Sequence, residues 1–306
     1  MLQIGHPCGL CNRLDVITTG YILAKIHGEE EIEVFWPLNY HLPVHFQDLF
    51  TDLPHGRVVE RDVEPRVLAD YETAQAQLPS DYRNSALYRE MLRRVLDCTV
   101  PEVVSEVSEF VAAHFHGTQK GSGPIGVHIR RSEKPYPICP YAQPLRYYEA
   151  IMRGLAEDTR FFVSTDSQEA FWWLSRRFGD RVFQRSKLHD NRSELGGVRE
   201  GLVDMLLLSR CSGIIGTFGS SFSGMASRVE GRPILRVKTN LQVPAGWPSF
   251  SSVQWLWSYR HFFVESTFWQ RWLYYSARPT AGHLYHALVR RWLVLYQRHV
   301  TSGNKA

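Results

Sequence analysis

The sequence predicts an α/β protein whose second half is a doubly wound parallel sheet. Two observations carry this. From residue 125 onward, short β-branched and aromatic runs alternate with amphipathic runs at helical spacing, the rhythm of β-α-β units. The apolar runs also end in charged or Gly/Ser/Thr-rich segments, as expected where the carboxyl ends of parallel strands open onto a ligand crevice.

In chain order, residues 10–27 carry Leu14, Ile17, Tyr21, Leu23 and Ala24 at helical spacing and stop at His27-Gly28. Residues 31–36 read as a strand ended by Pro37, and 37–85, rich in Pro, His and Asp, as mostly loop with short elements. Helices are expected at 86–97 and 101–116. Gln119-Lys120-Gly121-Ser122-Gly123-Pro124 has the composition of a linker. Beyond it, strands are expected at 125–130, 160–165, 182–183 and 213–216, with helices at 144–156, 167–178, 197–211 and 220–229. The expected division is 1–120, 121–245 and an aromatic-rich basic segment at 246–306.

At 306 residues the chain is long enough for two domains, and with 44% hydrophobic and 22% charged residues it can bury a sizeable core. The formal charge of +4 is mild and uneven: after Glu230 there are ten Lys or Arg against the single acid Glu265. The basic character belongs to the tail, so no nucleic-acid partner is expected. Five cysteines (8, 11, 98, 139, 211) without framework spacing, no secretory leader and no membrane-length apolar run suggest a cytoplasmic protein.

Four constellations could carry chemistry. In Gly126-Val127-His128-Ile129-Arg130-Arg131-Ser132-Glu133-Lys134, arginines emerge at a strand end, where a guanidinium can hold a phosphate through two bonds. The alternative is two solvated arginines beside a core histidine. In Gly213-Ile214-Ile215-Gly216-Thr217-Phe218-Gly219-Ser220-Ser221-Phe222, a strand runs into a turn that opens a helix, a natural anion site or simply an N-capped helix. Asp204 sits among Leu202, Val203, Met205, Leu206, Leu207 and Leu208; it could accept from guanine N1–H and the N2 amine, or pair with an arginine such as Arg199. Cys8-Gly9-Leu10-Cys11-Asn12-Arg13 leads into the first helix. A substrate-facing loop, a redox dithiol and half a zinc site are all open for it.

His128-Ile129-Arg130-Arg131-Ser132-Glu133-Lys134 resembles the H-V-R-R-T-D-K signature of α1,6-fucosyltransferases, relatives of the α1,2- and protein O-fucosyltransferases. Phe162-Val163-Ser164-Thr165-Asp166 resembles their A-T-D strand end. Gly197-Val198-Arg199 through Asp204, then Leu208-Ser209 and Thr217-Phe218-Gly219-Ser220-Ser221, resemble R-G-V-x-x-D-x-x-x-L-S and T-F-S-S. The Gly9–Leu14 loop resembles their Gly-rich N-terminal loop less strictly.

The resemblance covers 126–227 well, the first domain thinly and the tail not at all. It implies a GT-B-like arrangement of two Rossmann-like domains facing across a cleft, with the acceptor on the first and the donor on the second. It also implies GDP-fucose as donor, inversion at the sugar carbon, and neither metal nor cofactor. Carried over by position, Arg130 would hold the β-phosphate and neutralise the leaving GDP. His128 and Asp204 would contact the nucleoside, Thr217, Ser220, Ser221 and the Phe222 N–H would ring the phosphates, and Arg131 and Asp166 would complete the donor set. Gly9, Asn12 and Arg13 would face the cleft.

The α1,6 enzymes carry a glutamate a few residues past the signature lysine. Here that stretch is Pro135-Tyr136-Pro137-Ile138, so Glu133 becomes the candidate base, or pairs with Lys134 or an arginine. The acceptor is then a glycan, glycolipid or peptide hydroxyl. Two other readings stay open: a transferase for another GDP-hexose, and a non-catalytic nucleotide-sugar or glycan-binding module. Residues 284–300 form a basic amphipathic helix on a helical wheel, able to lie on an anionic membrane surface or to pack on the first domain. No oligomeric state is specified.

Overall fold

The computed structural model describes residues 1–39, 41–115, 123–131, 143–187 and 194–237. All of these lie in the first of two compact units, Met1–Ser251. Of the expected linker only Gly123 and Pro124 are described, and the helix expected at 284–300 lies outside the described residues.

The first sheet is parallel and three-stranded, with β1 (Leu2–Gly5), β2 (Ile32–Phe35) and β3 (Gly56–Val59) side by side in that order. Leu2 pairs with Ile32 and Gly5 with Phe35, and the same β2 residues pair with Gly56 and Val59 on the other side. Between β1 and β2 runs α1 (Leu10–His27), which ends where the sequence places its stop. Gly28 takes the left-handed conformation, φ 69°, and returns its N–H to Ala24 O. Lys25 and His27 sit in the last turn, where the helix dipole favours positive charge.

Two of the elements within 37–85, expected to be mostly loop with short elements, flank the first sheet's edge or complete it. β3 is one, and α2 (Pro65–Ala76) is the other, opening on a proline whose missing N–H costs nothing in a first turn. Only Val67 and Tyr71 of α2 are buried, so its apolar stripe is too narrow to show as a period. α3 (Ala86–Leu96) is capped by the Ser85 side chain, which accepts from Tyr88 N–H, and α4 (Pro101–His114) again starts on proline.

The second sheet follows the sequence rhythm closely. β4 (Ile125–Ile129), β5 (Phe161–Thr165), β6 (Val182–Phe183), β7 (Gly213–Thr217) and β8 (Ile234–Val237) are all parallel, in the order β6-β5-β4-β7-β8. Helices α5 (Leu145–Arg153), α6 (Gln168–Phe178), α7 (Leu195–Arg210) and α8 (Ser221–Glu230) connect them. The chain first builds outward through β5 and β6, then crosses back to lay β7 on the other side of β4. The carboxyl ends of β4 and β7 are therefore the topological switch point, the place where open α/β sheets bind ligands.

α5 packs on α6, α7 on α8, and α4 on α7. The aromatic rings of Phe110 and Phe115, on and just after α4, lie against Phe162 of β5 and Phe183 of β6. One continuous apolar core runs from Ile4, Leu14 and Ile17 to Val203, Leu207 and Ile214.

The same layers are tied by a charged node on α1. Asp15 accepts from Arg83 Nε at 2.9 Å and Nη2 at 2.7 Å and from the Tyr88 hydroxyl at 2.6 Å, and lies 4.0 Å from Arg228 of α8. Asp15→Asn should lower unfolding free energy by about 2 kcal/mol, the scale of charge-assisted bonds lost. Urea denaturation should show a lower midpoint at unchanged m-value; an unaltered midpoint would show that the node is not stabilising.

Candidate functional site

The site is built where β4 and β7 end. Their register is His128 opposite Gly216, and beyond it the Thr217 side chain replaces the ladder. Its hydroxyl donates to His128 O at 3.1 Å and accepts from Arg130 N–H at 2.9 Å, with the Tyr148 hydroxyl of α5 at 2.8 Å. A hydroxyl has one proton and two acceptor positions. With the proton on His128 O, the other two contacts are accepted bonds and Thr217 has no donor to offer a phosphate. In this arrangement Thr217 braces the Arg130 backbone.

The turn after β7 uses glycine twice. Gly219 has φ 77°, in the left-handed region where a side chain is strained. Gly216 lets the first turn of α8 lie directly on the strand, since a Cβ there would stand 2.6 Å from Ser223 Oγ. Ser220 is the N-cap of α8, yet its hydroxyl makes no capping bond. Both Ser220 Oγ and Ser223 Oγ are buried without a hydrogen-bond partner, and the first turn carries no acid. Each such hydroxyl costs about 1–3 kcal/mol if left dry. Ser220, at the mouth of α8, is suited together with the helix dipole to an incoming anion, whereas Ser223 Oγ lies against Gly216 of β7. Ser221 is exposed at the first helical position, and the Phe222 ring stacks on His128 with centroids 4.8 Å apart.

The other expected donor residues are placed around this point. His128 is buried in β4. Arg131 N–H donates to Asp166 Oδ1 at 2.7 Å, so the carboxylate after β5 clamps the chain leaving β4, and Arg131 Nη1 reaches Gln143 O. Glu133 lies outside the described residues.

Asp204, 2% exposed, is not paired with Arg199, which instead donates to Asp48 O. Its Oδ2 accepts from Ser164 Oγ at 2.8 Å and lies 2.8 Å from Lys187 Nζ, and its Oδ1 lies 3.4 Å from Arg185 Nε. Three donors therefore occupy a carboxylate with about four acceptor positions. A guanine edge, which brings two donors, would have to displace one of them. Arg185 in turn meets Glu106 at 2.7 Å and Glu200 at 3.6 Å. Arg185 and Lys187 were missed in the sequence. The available signal was basic residues just past the short run Val182-Phe183.

At the other sheet, α1 packs on α7 through Cys11, whose Sγ lies 3.8 Å from Met205 Sδ. Gly9 is the N-cap of α1, Asn12 is exposed, and Arg13 is buried with Nε donating to Cys8 O at 2.7 Å. Burial pushes the Cys8 thiol up to about 12, against the pull of Arg13. Cys8 and Cys11 form no disulfide, and the raised Cys8 thiol runs opposite to the lowered one that a redox dithiol uses. Among the described residues no group of three His, Cys, Asp or Glu is gathered to hold a metal. No helix among them is long and apolar enough to cross a membrane.

No protein-family model and no curated protein sequence matches the chain. Solved structures do. The fucosyltransferase NodZ from Bradyrhizobium is similar with a TM-score of 0.57 at 18% identity, over 79% of this chain and 97% of that one. NodZ α-1,6-fucosyltransferase co-crystallised with GDP gives 0.56 at 17%, and the same enzyme soaked with GDP-fucose gives 0.54 at 18%, with the same coverage of both chains. The chain thus shares the fold of this fucosyltransferase.

If Thr217 holds Arg130, then Thr217→Val, similar in shape but without the hydroxyl, should cost about 1–3 kcal/mol in stability. It should also weaken binding of any ligand that uses Arg130. Wild-type stability in calorimetry would contradict the bridge.

Proposed function

We propose that the chain is an inverting glycosyltransferase that moves a fucosyl residue from GDP-fucose to a hydroxyl of a glycan, glycolipid or peptide. The observation that carries this is the amino end of α8, with its unsatisfied Ser220 hydroxyl, at the switch point beside Arg130. The NodZ fold and the fucosyltransferase-like motifs at His128–Lys134 and Thr217–Ser221 support the same donor. In this reading residues 1–120 serve the acceptor, 121–245 the donor, and a cleft lies between them. The described cysteines, none of them in a disulfide, fit a reducing, cytoplasmic setting, and the basic composition of 246–306 suits an anionic membrane surface.

The reaction needs charge stabilisation more than covalent help from the protein. The acceptor oxygen forms its bond to the sugar C1 as the bond from C1 to the β-phosphate oxygen breaks, inverting that carbon. The acceptor proton goes to a carboxylate, for which Glu133 is the candidate, and GDP leaves with the bonding electrons. Arg130, the α8 dipole and the Ser220 hydroxyl meet that growing negative charge, the role such preorganised donors fill best. His128, stacked on Phe222, and the neighbourhood of Asp204 then fall to the nucleoside. Arg131 and Asp166 hold the loop that presents Arg130, and Gly9, Asn12 and Arg13 face the acceptor side.

GDP at about a hundredfold its dissociation constant should raise the melting temperature by roughly 5–10 °C. UDP and ADP should do much less, and Arg130→Ala should abolish the GDP shift. A stronger response to UDP would overturn the donor assignment. With labelled GDP-fucose, Arg130→Ala should cut transfer by about two to three orders of magnitude. Glu133→Gln should spare GDP binding while abolishing transfer; transfer at the wild-type rate would remove Glu133 as base.

A further inference from the structure

Arg13 is a buried cation with most of its hydrogen-bonding capacity unused. The residue is 2% exposed, and only Nε is engaged, on Cys8 O. Nη1 and Nη2 are buried without a partner. A guanidinium carries five N–H donors, so four are left over. Its carbon lies 4.8 Å from the centre of the Trp36 ring, and Trp36 is itself fixed by Nε1 donating to Val44 O at 2.9 Å. The orientation of the fork is therefore set by a buried aromatic platform. Burial pulls the Arg13 pKa down to about 10, the mark of a cation lacking a counter-charge.

Two further features share this edge of the first sheet. His6 directly follows Gly5 at the end of β1, and Trp36 directly follows Phe35 at the end of β2, the residue paired with Gly5. His6 Nδ1 is likewise buried with no partner. The amino end of α1 has no side-chain cap and no acid in its first turn. The next carboxylate on α1, Asp15, is held by Arg83 and Tyr88. A planar fork of four donors, a ring nitrogen and a helix amino end thus lie at the carboxyl edge of a parallel sheet, a setting matched to an oxyanion.

We propose that Arg13, with His6 and the amino end of α1, binds a carboxylate or phosphate carried by the acceptor, so that the acceptor is an acidic or phosphorylated molecule. Naming the acceptor as the source rests on the transferase reading, in which the donor's diphosphate is already met at α8. The anion site itself does not. The fork is specific to arginine, because lysine keeps the charge but cannot make the paired bonds.

The test uses the full chain, with glucuronate and inorganic phosphate as probes in thermal-shift titrations with and without GDP. At least one probe should raise the wild-type melting temperature. In Arg13→Met its half-saturating concentration should rise about tenfold or more, with Arg13→Lys between the two. The probe shift should persist in Arg130→Ala and add to that of GDP, while the GDP shift should survive Arg13→Met. No shift by either probe, or equal shifts in wild type and Arg13→Met, would overturn the site. Loss of the GDP shift in Arg13→Met, or abolition of the probe shift by GDP, would assign the anion to the donor and overturn the acceptor proposal. If GDP fails to shift wild type at all, the donor reading falls, and the comparison of wild type with Arg13→Met still decides the anion site. Should Arg13→Met not fold, Arg13→Lys supplies the comparison.

Discussion

Strands β4 and β7 each run one residue past their last registered pair, His128 with Gly216, and the Thr217 hydroxyl spans the place where the ladder would continue. That bridge fixes the direction in which Arg130 leaves the sheet. It also fixes the point from which the Phe218–Gly219 turn starts α8, because Ser220 N–H returns to Thr217 O at 3.2 Å. The Tyr148 hydroxyl anchors the same oxygen to α5. Everything assigned to the donor hangs from this join: the strand bearing His128, the arginine after it, and the helix end with its unsatisfied Ser220 hydroxyl. Asp166 repeats the device one strand over by holding Arg131 N–H.

Among the described residues, several incompletely satisfied polar groups stand at strand ends and helix starts. Ser220, Ser223, His6 and Arg13 all hold buried polar atoms without partners. Elsewhere buried charge is answered densely. Asp204 has Ser164, Arg185 and Lys187, and Asp15 has Arg83 and Tyr88. Buried polar groups normally find partners, so exceptions gathered at the carboxyl edges of two parallel sheets are best explained by ligands. Sites of this kind are paid for in stability, which is regained only when the ligand arrives.

The second sheet was legible in the sequence because its strands are buried runs bounded by turn residues and its helices carry wide apolar stripes. Residues 213–216 and 220–229 match β7 and α8 within a residue or so. The first sheet was much less so. β1 offers only Leu2 and Ile4 to show alternation, β3 has four residues, and α2 buries two side chains. β8 stands among basic residues that hid Ile234 and Leu235. Within the site, the residue types at strand ends were readable, but their partners were not. Whether Thr217 faces a phosphate or a backbone, and whether Asp204 meets Arg199 or Arg185, depends on contacts 19 to 89 residues apart. Nothing local encodes those. Arg13 looked like one member of a loop, and only burial shows that its fork is empty.

The donor site is defined by where a diphosphate sits. The most direct measurement is a crystal structure of the chain with GDP. Phosphate oxygens should lie at the amino end of α8, accepting from the Ser220 hydroxyl and the Arg130 guanidinium, with Thr217 still bonded to His128 O and Arg130 N–H. A diphosphate bound away from α8, leaving Ser220 without a partner and Arg130 turned elsewhere, would contradict this assignment.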